Sequence, residues 1–133
     1  MLHMSRVAFG CTEWTEIAER QAQFAGRGPD GAVILTTRNG PTRAAEMAGG
    51  SLFWIIKHRI VARQALVGFR PLDGATAILL HPPVIPTLAS ARRSHQGWRY
   101  LTPEDAPPDL ADAGDAAALP PELAAKLGAL DLI

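Results

Sequence analysis

The chain has 133 residues, 47% of them apolar, 20% charged and 6% aromatic, with 13 basic and 13 acidic residues for a formal net charge of zero. That length and mix exclude a wholly disordered chain and fit one domain able to bury a core without disulfides. No apolar stretch approaches the roughly 20 residues a membrane-spanning helix requires, no basic leader with a small-residue cleavage site opens the sequence, and the lone Cys11 cannot close an internal disulfide, so a cytoplasmic protein with no membrane partner is expected.

Residues 2–9 (LHMSRVAF) alternate only loosely and end at Gly10, which predicts a first strand. A helix follows, with Thr12 as its cap, Glu13 and Glu16 in its positive first turn, and Trp14, Ile17, Ala18, Gln21 and Ala25 on one face. Gly26, Gly28, Pro29 and Gly31 end it. The run AVILTT (32–37) predicts a buried strand bounded by Asn39-Gly40-Pro41, and TRAAEMA (42–48) a short helix stopped by Gly49-Gly50. Residues 51–70 predict one long strand, bent or bulged because twenty residues exceed the usual length. The turn signal Pro71-Leu72-Asp73-Gly74 and the run ATAILL (75–80) make 60–80 a β-hairpin. A period of two places Lys57, Arg59 and Arg63 on one face of that strand, with Ile56, Ile60, Ala62 and Leu66 on the other. His81-Pro82-Pro83 through Pro86 opens an irregular segment ending in Arg92-Arg93, and GWRYL (97–101) predicts a final short strand. The expected organisation is a single domain, 1–133: an α+β core over 1–101, a Pro/Asp/Ala-rich wrapping segment over 102–120, and a C-terminal helix over 121–133 with Leu123, Leu127 and Leu130 as its apolar stripe.

The zero net charge hides unequal segments. Residues 38–99 carry nine basic residues against Glu46 and Asp73, a net of +7, whereas 100–133 carry seven acidic residues against Lys126, a net of −6. Such asymmetry points to an anionic partner, or to an acidic tail that packs on the basic middle and neutralises it. Eleven of the bases are arginine, whose guanidinium takes phosphate or carboxylate in two-point contact; the same preference also follows from a GC-rich genome.

His3, His58, His81 and His95 are far apart in sequence, and with one cysteine no spacing resembles a zinc site, so no metal is expected. Gly49-Gly50 lies between a helix and a strand, the reverse of a phosphate loop, and no serine sits in a nucleophile elbow, so no nucleotide cofactor or acyl-enzyme chemistry is indicated. Cys11 is read as a small buried or helix-start cysteine in preference to a catalytic pair with a distant histidine. Glu46 is the candidate catalytic residue, as the lone carboxylate between Asp30 and Asp73; its structural alternative is a surface pair with Arg43. Arg38 and Arg43 bracket the start of the helix predicted at 42–48, where backbone N–H groups also favour an anion; the alternative pairs both arginines with the C-terminal acids. Trp54 reads as core. Trp98 beside Arg99 is either a stacking platform for a base or a buried anchor for the acidic tail.

The run Gly50-Ser51-Leu52-Phe53-Trp54-Ile55-Ile56-Lys57, the pair Arg63-Gln64, and the stretches Gln96-Gly97-Trp98-Arg99-Tyr100-Leu101 and Glu104-Asp105-Ala106-Pro107-Pro108-Asp109-Leu110 together resemble an alphaproteobacterial family known as domain of unknown function family 1489. The resemblance spans nearly the whole chain and implies a bacterial single-domain protein without an assigned activity. It also implies glycine after the lysine of the first run, where this chain has His58. The order strand, helix, strand, Arg-Pro-helix, Gly and long hairpin with a tryptophan is similar to that of the PUA-like superfamily, including its EVE and ASCH branches. That similarity implies a small mixed or antiparallel β pseudo-barrel with two or three short helices, and RNA or a modified base as ligand.

The leading expectation is therefore a module that binds an anionic nucleic-acid-derived ligand, either nucleic acid or a nucleotide-like small molecule. Arg38, Arg43, Lys57, Arg63 and Arg99 supply charge, Gln64 comes from the Arg63-Gln64 pair, and Trp98 offers a stacking face. The alternatives are a small hydrolase or amidase using Glu46 with Lys57 or Arg38, and a protein-interaction module. No cofactor is expected.

Overall fold

In the computed structural model of the protein, which describes residues 1–28 and 31–112, the loose alternation of the first segment resolves into strand β1 (His3–Val7). Leu2, Met4 and Ala8 face the main core, whereas Val7 packs against a smaller cluster on the other side. The period of two puts Arg6 on the same side as Met4.

Helix α1 (Thr15–Phe24) starts later than expected, and Trp14, with no capping side chain, occupies the N-cap position assigned to Thr12. The Glu16 carboxylate in the first turn reaches back to the segment before the helix, accepting the Thr12 N–H at 3.1 Å, the Glu13 N–H at 3.2 Å and the Thr12 hydroxyl. Of the predicted face only Ile17 and Gln21 are buried; Trp14 and Ala18 are exposed.

The remaining strands are β2 (Gly26–Arg27), β3 (Val33–Thr37), β4 (Ser51–Ile56), β5 (Arg59–Leu72), β6 (Ala75–Leu80), β7 (Ile85–Ala91) and β8 (Trp98–Leu101). They form one mixed sheet in the order β2-β3-β6-β5-β4-β1-β8, with β7 also on β5, and only β1–β4 is parallel. Strand β5 joins the two halves: Arg59 to Ala65 pair with β4, while the opposite edge pairs first with β7 and then, from Leu66, with β6. The molecule is mostly β with few helices. The expected pseudo-barrel is not closed by backbone pairing, because the two-residue β2 and four-residue β8 remain edges of an open sheet.

Several local expectations need correction. Residues 51–70 are two strands, because Lys57 (φ 51°) and His58 (φ 62°) both adopt the left-handed region and form a tight β4–β5 turn. Lys57 therefore belongs to the turn, and Arg59, opposite Ile56, and Arg63, opposite Phe53, face opposite sides of the sheet, so the expected row of three cations does not form. Glycine, the residue the family resemblance implies at 58, reaches that φ without a Cβ penalty. A bulge leaves Val61 as the extra residue, since Trp54 pairs with Ala62 and Ile55 with Ile60. Ile60 consequently joins Phe53, Ile55 and Leu101, whereas Ile56, Ala62 and Leu66 join the main core with Leu52, Trp54, Ile78 and Leu80. The helix expected at 42–48 is only a 3-10 turn, Ala44–Met47, too short to set up an α-helical ladder before Gly49 turns the chain at φ 78°.

The segment after His81 is strand β7 instead of irregular chain; Pro86 opposite Ala62 is tolerated on a strand that completes only part of the edge. The hairpin through Asp73-Gly74 and the final strand at 98–101 form where expected. The wrapping segment begins with a 3-10 turn, Pro103–Asp105, then lies along β7, where the Leu88 N–H donates to the Pro108 carbonyl at 3.0 Å and Thr87 bridges to Asp109. Residues 113–120 of the wrapping segment and the C-terminal helix expected over 121–133 lie outside the described residues. Among the described residues no helix is long and apolar enough to cross a membrane.

Candidate functional site

The sequence-predicted residues fall into separate groups. Arg43 and Trp98 lie together, with Arg38 next to them in the chain, because β8 pins the loop before the 3-10 turn. The Trp98 indole N–H donates to the Asn39 carbonyl at 2.7 Å, and the Tyr100 hydroxyl accepts the Arg43 N–H at 3.1 Å. The two rings meet edge to face at 4.9 Å. The Arg43 guanidinium lies 5.6 Å from the centre of the Tyr100 ring and grips Glu46 through two hydrogen bonds of 2.6 and 2.7 Å. That bond holds the Glu46 carboxyl below the usual carboxylate range. The helix N-terminus expected to hold an anion between Arg38 and Arg43 does not exist, and Glu46 is the exposed surface partner of Arg43.

Arg63 is committed elsewhere. Its guanidinium donates to both Asp109 carboxylate oxygens, at 2.6 and 2.8 Å, and to the Ser51 hydroxyl at 3.0 Å. This is a direct pairing of the basic middle with the acidic segment, and it ties the wrapping chain to β5 as well as to β7. The hydrogen bonds from Arg63 hold the Asp109 carboxyl below its ordinary value of 3.8. A depressed folded pKa adds stability that is present above the unfolded value and is lost as the pH falls through the folded one. Asp109→Asn should therefore cost about 2 kcal/mol at pH 7, and the gap between the two proteins should close as the pH drops below about 4. Urea melts at the two pH values test this; a gap of the same size in acid would dismiss the ion pair as its source.

Gln64, with no exposed surface, is the centre of a buried polar cluster. Its Oε1 accepts the Trp54 indole N–H at 2.9 Å and the Gln21 amide at 2.6 Å. Its Nε2 donates to Gln21 Oε1 at 2.9 Å and to the carbonyls of His81 and Pro82 at 3.1 and 3.2 Å. These bonds attach α1 to the sheet, and every polar atom of the Gln64 side chain is used.

Lys57 and Arg99 belong to a third place, the end of the sheet where β4, β5, β7 and β8 begin or finish. Lys57, His58, Arg59, Arg92 and Arg93 line one hollow, and Arg92, Arg93, Ser94, His95 and Arg99 line the next. The left-handed turn makes this junction: the His58 carbonyl accepts the Arg92 N–H at 3.1 Å, and His58 Nδ1 accepts the Ser94 N–H at 3.0 Å. Arg92 is partly held by the Tyr100 carbonyl at 3.0 Å. Among the described residues no carboxylate lines either hollow, and Lys57, Arg59, Arg93 and Arg99 form no ion pair. Burial, then the nearby Arg99 charge, pushes the His95 imidazole below its ordinary pKa, which favours the neutral ring beside Ser5 Oγ at 3.0 Å. Trp98 and Arg99, adjacent in β8, point to opposite faces, so the tryptophan does not stand over this basic end.

One further feature escaped the sequence reading. A cleft of about 520 Å³ lies between α1, the end of β1 and β3, with Arg6 and Arg20 in its wall. Arg6, one of the lining residues, has its Nη1 atom buried against the protein without a hydrogen-bond partner. The signal was available: Arg6 stands at an inward position of the alternation Leu2, Met4, Arg6, Ala8, where a charge interrupts an apolar row.

The chain matches, over residues 4–133, the family described as "Protein of unknown function (DUF1489)". It belongs to that family. No curated protein and no solved structure matches the chain. The family's description names no chemistry. Among the described residues no three His, Cys, Asp or Glu side chains stand close enough to hold a metal ion. Burial first, then the Glu16 charge, pushes the Cys11 thiol up, with Arg20 opposing. A raised pKa leaves less of the thiolate that nucleophilic chemistry needs.

Proposed function

We propose that the protein is a binding module for an anionic nucleic-acid-derived ligand, with single-stranded RNA as the favoured partner and its phosphates held at the basic end of the sheet. The observation that carries this reading is the pair of adjoining hollows whose described lining includes Lys57, Arg59, Arg92, Arg93 and Arg99 and no carboxylate. Five cations on one rigid end, anchored by a hairpin turn and two strands, can follow the spacing of a phosphate backbone. The similarity of element order to the PUA-like superfamily points the same way as a fold-level analogy. Arg38, Arg43 and Trp98 form a separate group, and Arg63 and Gln64 support the fold beneath. A hydrolase built on Glu46 is less favoured, because its carboxylate is engaged by Arg43 on an exposed surface before β4, while Lys57 follows the other end of that strand.

Fluorescence anisotropy with a short labelled RNA tests the proposal. Five phosphate contacts give affinity that falls on the order of 100-fold between about 50 and 200 mM salt. R93E/R99E should flatten that dependence and weaken binding at low salt, while leaving the melting temperature near that of the parent. Absence of binding at low salt, or binding that ignores salt, would end this reading.

A further inference from the structure

We infer that the cleft between α1 and the sheet is a second binding site, for a small apolar molecule bearing one carboxylate, and that Arg6 anchors the acid group. The cleft has no lining residue in common with the two basic hollows, so the inference stands apart from the nucleic-acid reading.

The cation comes first. Backbone register sets Arg6 opposite Trp98 on β8 and level with Trp54 on β4, so it sits in a row between two tryptophans on the inward face. Its Nη1 is buried with no hydrogen-bond partner, and Arg6 forms no ion pair among the described residues. Arginine stays protonated at any physiological pH, and a buried polar atom without a partner is a rare exception in folded proteins. Burial pushes the Arg6 guanidinium below its ordinary pKa, the direction of a charge without compensation. The acids at the start of α1 do not supply that compensation: Glu16 accepts the N–H groups of Thr12 and Glu13, and Glu13 accepts the Thr15 hydroxyl at 2.6 Å. Among the described residues no carboxylate lines the cleft. Arg20 brings a second guanidinium to the same wall, over Gly10, where a Cβ would lie 2.6 Å from Arg20 Nη2.

The rest of the wall defines the body of the ligand. Ile17, Ile34, Leu35, Trp54 and Leu72 are apolar surfaces, and Phe9, 65% exposed, stands beside them. The polar groups nearby are largely spent, since the Trp54 indole and the Gln21 amide are bonded to Gln64. A sugar with several hydroxyls, or a chain of phosphates, would find too few partners, whereas an alkyl or aryl acid matches one anchored charge and apolar walls. About 520 Å³ is the size of a site for one small molecule.

The test is titration of the full chain with 4-phenylbutyrate and with its neutral amide, followed by tryptophan fluorescence and by two-dimensional NMR of the labelled protein. The acid should bind about 30-fold or more tightly than the amide, the range for losing one side of a buried charge pair. Its shifts should centre on Arg6, Ile17 and Thr36, and R93E/R99E should retain the binding in full. Arg6→Met should abolish it while the melting temperature holds or rises, because an apolar side chain replaces a half-buried guanidinium whose Nη1 has no partner. The inference is overturned if the acid does not bind at millimolar concentration, if the amide binds equally well, if the shifts fall on the basic end, or if uridine monophosphate takes the cleft in place of the acid. The NMR map on the parent protein decides the matter even if Arg6→Met fails to fold.

Discussion

Gln64→Leu is expected to destabilise the folded chain by about 3–4 kcal/mol, although leucine is the larger side chain and leaves no cavity. The loss comes from what remains behind. The Trp54 indole N–H and both polar atoms of the Gln21 amide are in the interior, with Trp54 and Gln21 each 6% exposed, and all three have their partner on Gln64. Each buried group left unpaired costs about 1–3 kcal/mol. The carbonyls of His81 and Pro82 also lose their donor, but those residues are exposed and water can replace it. Urea denaturation should show a lower midpoint with an unchanged slope. Gln21→Leu in the same background should then recover part of the loss, since the paired amides are removed together and only the indole is left without a partner. Equal and additive losses in the two single variants and the double would show that the amide pair is not formed in solution.

What the sequence disclosed followed local rules, and what it concealed depended on tertiary contact. Asp73-Gly74 announced the β5–β6 turn because both positions need positive φ, which Asp tolerates and Gly prefers. The β4–β5 turn uses Lys57 and His58 in the same region, residues that carry no turn signal, so one long strand was the natural reading of 51–70. The bulge at Val61 likewise has no glycine to mark it, yet it moves Ile60 to the opposite core. The candidate site was legible in part. The segregation of charge led to the basic middle, but a linear count could not separate Arg63, which holds Asp109 across 46 positions, from Arg93 and Arg99, which hold no acid among the described residues. Trp98 and Arg99 could have been separated from the sequence alone, since neighbours on a strand face opposite ways. The neutral total thus conceals at least two different uses of basic charge: one part pins the wrapping chain to the sheet, and another is left at the open end where β4 turns into β5.

Gly50→Ala is expected to be severe, on the order of 3 kcal/mol or more, while Gly49→Ala next to it costs about 1 kcal/mol. The order is the reverse of what backbone angles alone suggest, because Gly49 has φ 78° and Gly50 does not lie in the left-handed region. Space decides between them. A Cβ at 49 meets nothing within 4 Å, so alanine there suffers only the strain of its dihedral. A Cβ at 50 would overlap the Leu2 carbonyl oxygen and lie 3.0 Å from the Met47 carbonyl oxygen, and both obstacles are backbone. Neither can withdraw easily: Leu2 donates its N–H to the Glu46 carbonyl at 2.8 Å, the Gly50 N–H is tied to Met47 at 2.8 Å, and the Gly50 carbonyl accepts the Leu66 N–H at 3.0 Å. The same corner holds Ser51, whose N–H donates to His3 Nδ1 at 2.9 Å, so a displaced Gly50 disturbs the start of both β1 and β4. These are the two strands of the parallel pair, closed only after the chain has passed through α1, β2 and β3. The run from Gly50 to Lys57 that carries the family resemblance thus opens on a residue with no room for a side chain. Thermal and urea melts of the two alanine variants settle the comparison; if Gly49→Ala proves the more damaging, the close approach of Leu2 to position 50 is absent from the folded protein.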